Sequence, residues 1–269
     1  MQRRLLQIYC FIWLSLTYTL SYAVEEDRQP QIFGTHAAGC IKNAGRLPPE
    51  GEGYQLIRLS RQRYYAHPSL IYFLQSTAKQ FFRQTQRHLL IGDIGQEGGG
   101  AMSGHGSHQI GLDVDILFLQ PQKPRLWSVA EREKFAPISL LNTAQTTLDK
   151  HRWQPVHEFM VELAAMHPQV ERIFVNPLIK KHFCERYPNV AWQTKIRPWW
   201  GHDGHFHVRL RCPTDSPQCY VASPLPANDG CGKELDWWFS AEATRKAEQK
   251  YDKSKPSKPK VMPTECSLP

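Results

Sequence analysis

The chain has 269 residues, a formal net charge of +8, 41% hydrophobic residues and 12 histidines. That length suits one large domain or a domain with appendages, and no internal repeat divides it. Past the N-terminus no apolar run reaches membrane length, and the chain has no arginine-rich helix or aromatic RNA-binding motif, which excludes the usual nucleic-acid binders.

Residues 1–23 read as a secretory signal. Arg3 and Arg4 form a basic start, residues 5–20 an apolar run, and Ser21-Tyr22-Ala23 sets small residues three and one before a cut after Ala23. Cys10 lies inside this run without the small-residue surroundings of a lipid-attachment site. Cleavage removes two arginines and no acid, lowering the net charge by two to near +6. A basic exported protein suits an anionic polymer such as cell wall.

Residues 24–245 form the expected domain. A helix is predicted over 68–86, where Leu70, Phe73, Leu74, Ala78, Phe81 and Phe82 fall at helical spacing. Residues 88–94 (HLLIGDI) read as a buried strand and 95–104 as a glycine-rich loop. Residues 112–119 alternate toward a second strand. A helix over 156–166 closes at His167-Pro168; a strand over 170–175 stops at Asn176-Pro177, and 178–187 is helical in character. Residues 205–210 alternate His, Phe, His, Val, Arg, Leu, the period of a strand. Helices and strands mix without a regular βαβ rhythm, so the fold class is α+β. The expected architecture is a central, mainly antiparallel sheet carrying the site and flanked by helices. The tail, 246–269, is rich in lysine and proline with almost no apolar residue as far as Lys260, a composition for a solvated segment. An electrostatic tether to wall polymer is the functional alternative.

Of the 7 cysteines, those beyond the signal are Cys40, Cys184, Cys212, Cys219, Cys231 and Cys266. An even number in an exported chain points to disulfides. Cys212 and Cys219 flank a turn-rich loop that suits a local bridge, and no C-x-x-C spacing supports a thiolate zinc cluster.

The chemistry lies in two windows, GHGSHQIGLDVD at 104–115 and HDGHFH at 202–207. Histidine with carboxylate is the ligand set that zinc prefers, and three protein ligands leave a place for water. His108 and Asp115 are separated by a glycine turn at Gly111, so both can face one point. Asp113 and Asp115 share a strand face, as do His205 and His207, about 7 Å apart along the strand. His108, Asp115 and His207 are the expected zinc ligands. His105 is a further ligand, a substrate contact or a turn histidine. Asp113 orients a histidine from behind or caps the loop. His205 is the proton acceptor on the correct face, and His202 a second acid–base group or a stabiliser of the oxyanion. No H-E-x-x-H supplies a glutamate base, and Ser107 stands in a lysine-free segment, a poor nucleophile. His36, His67, His88, His157, His167 and His182 stand alone and read as structural side chains.

The segments HLLIGDIG (88–95), GHGSHQIGLDVDI (104–116), RIFVNPLIK (172–180), IRPWWGHDGHFHVRLRC (196–212) and DGCGKEL (229–235) together span most of the exported chain. In these it resembles the penicillin-insensitive murein endopeptidases. That family belongs to the zinc peptidase group of lysostaphin-type enzymes, D-Ala-D-Ala peptidases and the hedgehog domain. The resemblance implies hydrolysis of the D-alanyl–meso-diaminopimelyl crosslink of peptidoglycan in the periplasm, with zinc on His108, Asp115 and His207 and His105 as a further candidate. It also implies the pairing Cys40–Cys266, Cys184–Cys231 and Cys212–Cys219. Family members can carry an aspartate and a histidine a few residues apart after the first motif; Asp149 and His151 differ in spacing, so a second metal does not carry over. A D,D-carboxypeptidase would use the same ligands, but such relatives usually place a glutamate shortly before the last histidine, where the nearest acid here is Asp203. A zinc-stabilised wall-binding module is the non-enzymatic alternative.

Overall fold

The computed structural model describes residues 29–120, 125–221, 223–251 and 260–267; the signal expected over 1–23 lies outside them. The chain opens with a hairpin, β1 (Gln31–Thr35) and β2 (Ala38–Lys42), followed by the short strands β3 (Gly45–Arg46), β4 (Glu50–Gly51), β5 (Tyr54–Leu56) and β6 (Tyr65–Ala66). Helix α1 (Pro68–Thr85), β7 (Leu89–Ile91), β8 (Asp113–Leu117), α2 (Val129–Lys134), α3 (Pro155–Met166) and β9 (Val170–Val175) come next. Then follow α4 (Pro177–Arg186), β10 (Ile196–Pro198), β11 (His205–Leu210), α5 (Lys233–Trp237) and α6 (Ala241–Tyr251). No helix among the described residues is long and apolar enough to cross a membrane.

Seven strands form one sheet in the order β10-β9-β11-β8-β7-β5-β4. The expectation of a mainly antiparallel sheet is corrected here, because the sheet is mixed. Its centre, β9-β11-β8-β7, is antiparallel, while β5 pairs β7 and β10 pairs β9 in parallel. Each parallel pair is joined through a helix, α1 in one case and α4 in the other, as parallel strands require a crossover. β5 and β10 have three residues each, too few for alternation to declare them in the sequence.

The two sheet faces have different tasks. Along β8, Val114 and Ile116 point to the apolar core while Asp113 and Asp115 point the other way; along β11, Phe206 and Val208 oppose His205 and His207. The strand expected over 112–119 is thus buried on both faces, and its polar face is the site. Helix α1 covers the apolar side. Pro68 opens it, the His67 ring accepts from the Ser69 N–H at 3.2 Å, and Gln86 closes it in a left-handed conformation with φ 57°. Phe81, fully buried, stacks on Phe159 of α3 with centroids 6.0 Å apart.

Three disulfides join Cys40–Cys266, Cys184–Cys231 and Cys212–Cys219, the pairing implied by the family resemblance. The first ties the β1–β2 hairpin to the C-terminal segment across a separation of 226 residues. The start of the lysine-rich tail is not irregular: α6 runs on to Tyr251, with Lys246 paired to Glu242 one turn earlier at 2.8 Å. Beyond residues 252–259, which lie outside the description, Lys260 donates to the Gly106 carbonyl at 2.8 Å. Lys260 therefore lies against the loop that bears His105 and His108.

Replacing Phe81 with alanine leaves a cavity between α1 and α3 and is expected to cost about 3–5 kcal/mol. A urea midpoint that moves by only a small fraction of that would show that α1 and α3 close over the gap.

Candidate metal centre

Strand pairing assembles the centre. In the β8–β11 register Asp115 stands opposite His207, and Asp113 opposite Arg209. His108 comes from the loop before β8. Its backbone is left-handed (φ 68°), an uncommon state for a residue with a side chain. That conformation lets its N–H donate to Asp113 Oδ2 at 2.9 Å while its ring Nδ1 donates to the Ile94 carbonyl at 2.7 Å. Gly111 makes the intervening turn with φ 67°, and a Cβ there would lie 3.0 Å from the His67 nitrogen, so only glycine fits without a shift.

Three atoms then converge. His108 Nε2 lies 3.1 Å from His207 Nδ1 and 3.4 Å from Asp115 Oδ1, and His207 Nδ1 lies 3.3 Å from Asp115 Oδ1. Ligand bonds of about 2.0–2.1 Å at tetrahedral angles put ligating atoms about 3.3 Å apart. The triangle therefore has the edges of a four-coordinate divalent site. Asp115 Oδ1 is buried and lacks a well-formed hydrogen bond, a cost that a bound cation would remove. The donor set fits a metal. Ligating atoms of His105, His108 and Asp115 also lie within 4.8 Å of one another; His105 Nδ1 is 3.8 Å from Asp115 Oδ2, at the rim of the triangle.

Four of the five imidazoles around the centre are oriented from behind. A carbonyl or ionised carboxylate can only accept, so the nitrogen facing it bears the proton. His108 is held by the Ile94 carbonyl, and His207 by Asp113 Oδ1 at 3.0 Å through its Nε2–H. His105 Nε2 donates to Asp93 Oδ2 at 2.9 Å, and His202 Nδ1 to the Trp200 carbonyl at 2.9 Å. The opposite nitrogen of each ring is left for the centre or for substrate.

Asp113 is fully buried, which by itself raises a carboxyl pKa, but Arg209, His36 and His207 hold it well below the usual carboxylate range. Arg209 Nε donates to the same Oδ1 at 2.9 Å. Burial likewise opposes ionisation of Asp115, and His205 and His108 hold its pKa well down. His207 is buried too, which would lower it, yet Asp113 and Asp115 on its two sides push it up to about 9. With no cation bound, a proton on His207 Nδ1 takes the cation's place.

His205 sits at the open edge with Nε2 3.7 Å from Asp115 Oδ1; burial lowers its pKa and Asp115 opposes the shift. His202, also left-handed at φ 55°, packs on His205 with ring centroids 4.9 Å apart. Burial and its neighbours His205 and His207 lower its pKa to about 3, so at neutral pH it is an uncharged acceptor at Nε2. The structure thus gathers His105, His108, Asp113, Asp115, His202, His205 and His207 in one place. The Asp149 carboxylate is engaged locally: it accepts from the His151 backbone N–H at 2.8 Å and pairs with Arg152 at 3.4 Å.

Sequence reasoning missed Asp93, Arg63, Arg61 and Arg209. Arg63 and Arg61 bind Asp93 Oδ2 at 2.8 and 3.1 Å, and His105 with Arg63 holds its pKa down to about 2 against its burial. The available signal was an aspartate inside the otherwise apolar HLLIGDIG, where an unpaired carboxylate would be costly. An aromatic wall bounds the far side: Phe174 is edge-on to His207 at 5.4 Å and to Trp199 at 5.5 Å, and Trp199 and Trp200 pack on Trp238 at 5.8 and 4.7 Å. Lys180, buried and bonded to Gln193 Oε1 and the Asp229 carbonyl, and the Cys184–Cys231 bridge pin the segment that brings Trp238 in.

The family profile described as "Penicillin-insensitive murein endopeptidase" matches residues 32–268. The chain is 40% identical over 245 residues to a "Penicillin-insensitive murein endopeptidase" of Haemophilus influenzae, covering 90% of this chain and 82% of the relative. A protein of that name from Pectobacterium atrosepticum is 42% identical over 224 residues (81% and 79%). One from Salmonella heidelberg is 38% identical over 258 residues (94% and 89%). The chain belongs to the penicillin-insensitive murein endopeptidase family.

Because the His207 proton must leave before a cation takes Nδ1, apparent affinity for a divalent metal is expected to rise roughly tenfold per pH unit up to about pH 9 and then level off. Competition with a chromophoric chelator measures this. A plateau already reached at pH 7 would show that Asp113 and Asp115 do not hold that proton.

Proposed function

We propose that this protein is a zinc-dependent endopeptidase that hydrolyses the D-alanyl–meso-diaminopimelyl crosslink between peptidoglycan stem peptides. The reading is carried by one observation: a two-histidine, one-carboxylate triangle of tetrahedral dimensions with His205 at its open edge, in a chain of this family. Two imidazoles and a carboxylate are the donors zinc prefers, and three protein ligands leave one position open. His108, Asp115 and His207 would hold the ion, with His105 beside them. When bound there, zinc supplies Lewis acidity toward a carbonyl oxygen and lowers the pKa of water toward about 7.

The rest falls to the chain's own groups. His205, kept neutral by burial, takes the proton of the attacking water at Nε2 and returns it to the departing amine. His202, neutral with Nε2 unprotonated, accepts a hydrogen bond from substrate or water and must first gain a proton before it can donate one. Asp113 and Asp93 keep His207 and His105 turned to the centre. Without a serine nucleophile in a penicillin-binding motif, penicillin has nothing to acylate. The expected location is the periplasm, reached through the signal over residues 1–23, with a domain over 24–245 and the tail joined by Cys40–Cys266.

The purified protein is expected to split crosslinked muropeptide dimers into monomers, with chelator stopping the reaction and penicillin leaving it unchanged. His205→Ala should abolish turnover while metal content stays near that of the unaltered protein; equal loss of both would make His205 a ligand. Mass analysis separates the readings: release of terminal alanine without dimer cleavage indicates a carboxypeptidase, and retention on insoluble murein without any turnover indicates a wall-binding module.

A further inference from the structure

The polar face of the sheet continues beyond the centre onto β9. In the antiparallel β9–β11 register His207 stands opposite Phe174, and Arg209 opposite Arg172. Two like charges directly opposed across neighbouring strands are destabilising. Here both guanidinium groups also lie over one ring, Arg209 5.3 Å and Arg172 5.8 Å from the Phe174 centroid. That ring is the one set edge-on against His207.

The two arginines are not equally compensated. Arg209 is neutralised by the buried carboxylate of Asp113. Arg172 has no ion pair within 4.0 Å among the described residues; it donates from Nη2 to the Ser223 carbonyl at 3.0 Å, and its Nε is buried without an acceptor. Arg197, one strand further on, has its own partners in Glu234 at 3.1 Å and Asn228 at 2.8 Å. Burial and the charges of Arg209 and Arg197 weigh against a cation at position 172, with Glu171 and Glu234 opposing them. A half-buried, undercompensated guanidinium one aromatic ring away from a metal-ligand triangle is costly to the free protein. It is favourable only once an anion arrives.

We propose that Arg172, with Arg209 beside it, binds a carboxylate of the crosslinked stem peptide adjacent to the scissile bond and thereby sets that bond at the His108–Asp115–His207 centre. The inference rests on the endopeptidase reading given above. In that substrate the carbon bearing the scissile nitrogen also bears a carboxylate, two bonds from the bond that breaks. A planar guanidinium matches a carboxylate in shape and charge. Arg172 is a specificity-determining residue in this arrangement: it takes no proton and touches no reacting atom.

The test pairs a change in the protein with a change in the substrate. Crosslinked dimers with the free carboxylate and the same dimers with that carboxylate amidated are given to the unaltered protein, Arg172→Ala and Arg172→Lys. For the unaltered protein, amidation is expected to lower kcat/KM roughly 10- to 100-fold, chiefly through KM, the range for one charge-assisted hydrogen-bonded pair. Arg172→Ala should treat the two substrates alike within about twofold, which a purely structural role would not produce, and Arg172→Lys should keep part of the preference. Indifference of the unaltered protein to amidation, or a full preference retained by Arg172→Ala, overturns the proposal. If Arg172→Ala does not fold, Arg172→Lys is decisive: a preference equal to that of the unaltered protein overturns it. Failure to cleave any dimer would refute the endopeptidase reading instead. Tryptophan-fluorescence titration of the chelator-stripped protein with the two peptides would then decide the carboxylate preference by itself.

Discussion

The centre depends on the way four of its five imidazoles give an outward N–H to an oxygen behind them. Asp113 does this for His207, the Ile94 carbonyl for His108, Asp93 for His105 and the Trp200 carbonyl for His202. A histidine without such a partner can present either nitrogen and rotate about its side chain. With the partner in place, one tautomer and one ring plane are fixed before any ligand arrives. The convergence of His108 Nε2, His207 Nδ1 and Asp115 Oδ1 follows from this fixing as much as from strand register.

This arrangement is expensive, and the fold shows where the cost falls. Asp113 is buried completely and is tolerable only because Arg209, His207 and the His108 N–H all give hydrogen bonds to its two oxygens. His108 accepts a left-handed backbone for the same connection, beside the glycine at 111. Asp93, likewise buried, takes its charge balance from Arg61 and Arg63. Strain and desolvation collect around the centre while the opposite sheet face is an ordinary apolar core of Val114, Ile116, Phe206 and Val208 under α1 and α3.

The periphery holds the loops of the site at their bases. Cys40–Cys266 anchors the C-terminal segment whose Lys260 meets the carbonyl of Gly106, and Lys180 with Cys184–Cys231 anchors the stretch leading to Trp237 and Trp238. Loops so fastened lose little further entropy when substrate binds. A positive net charge favours long-range attraction to an acidic polymer.

The amino-acid sequence determined the elements whose periodicity is strong and local. α1, α3, β9 and β11 lie where the spacing of apolar residues put them, and β11 matches its expected range of 205–210 at both ends. The histidines and aspartates of the two windows were legible because their chemistry is rare in such density. Tertiary structure alone decided the parallel pairings of β5 and β10, since three-residue strands carry no readable alternation. It alone also placed Asp93, whose partners Arg61, Arg63 and His105 come from outside the strands, and Arg209 and Arg172, because a charge on a strand says nothing of the residue that stands across the sheet from it. Pairing of that kind is fixed by strand register, a relation between segments distant in the chain, and no local pattern of residues encodes it.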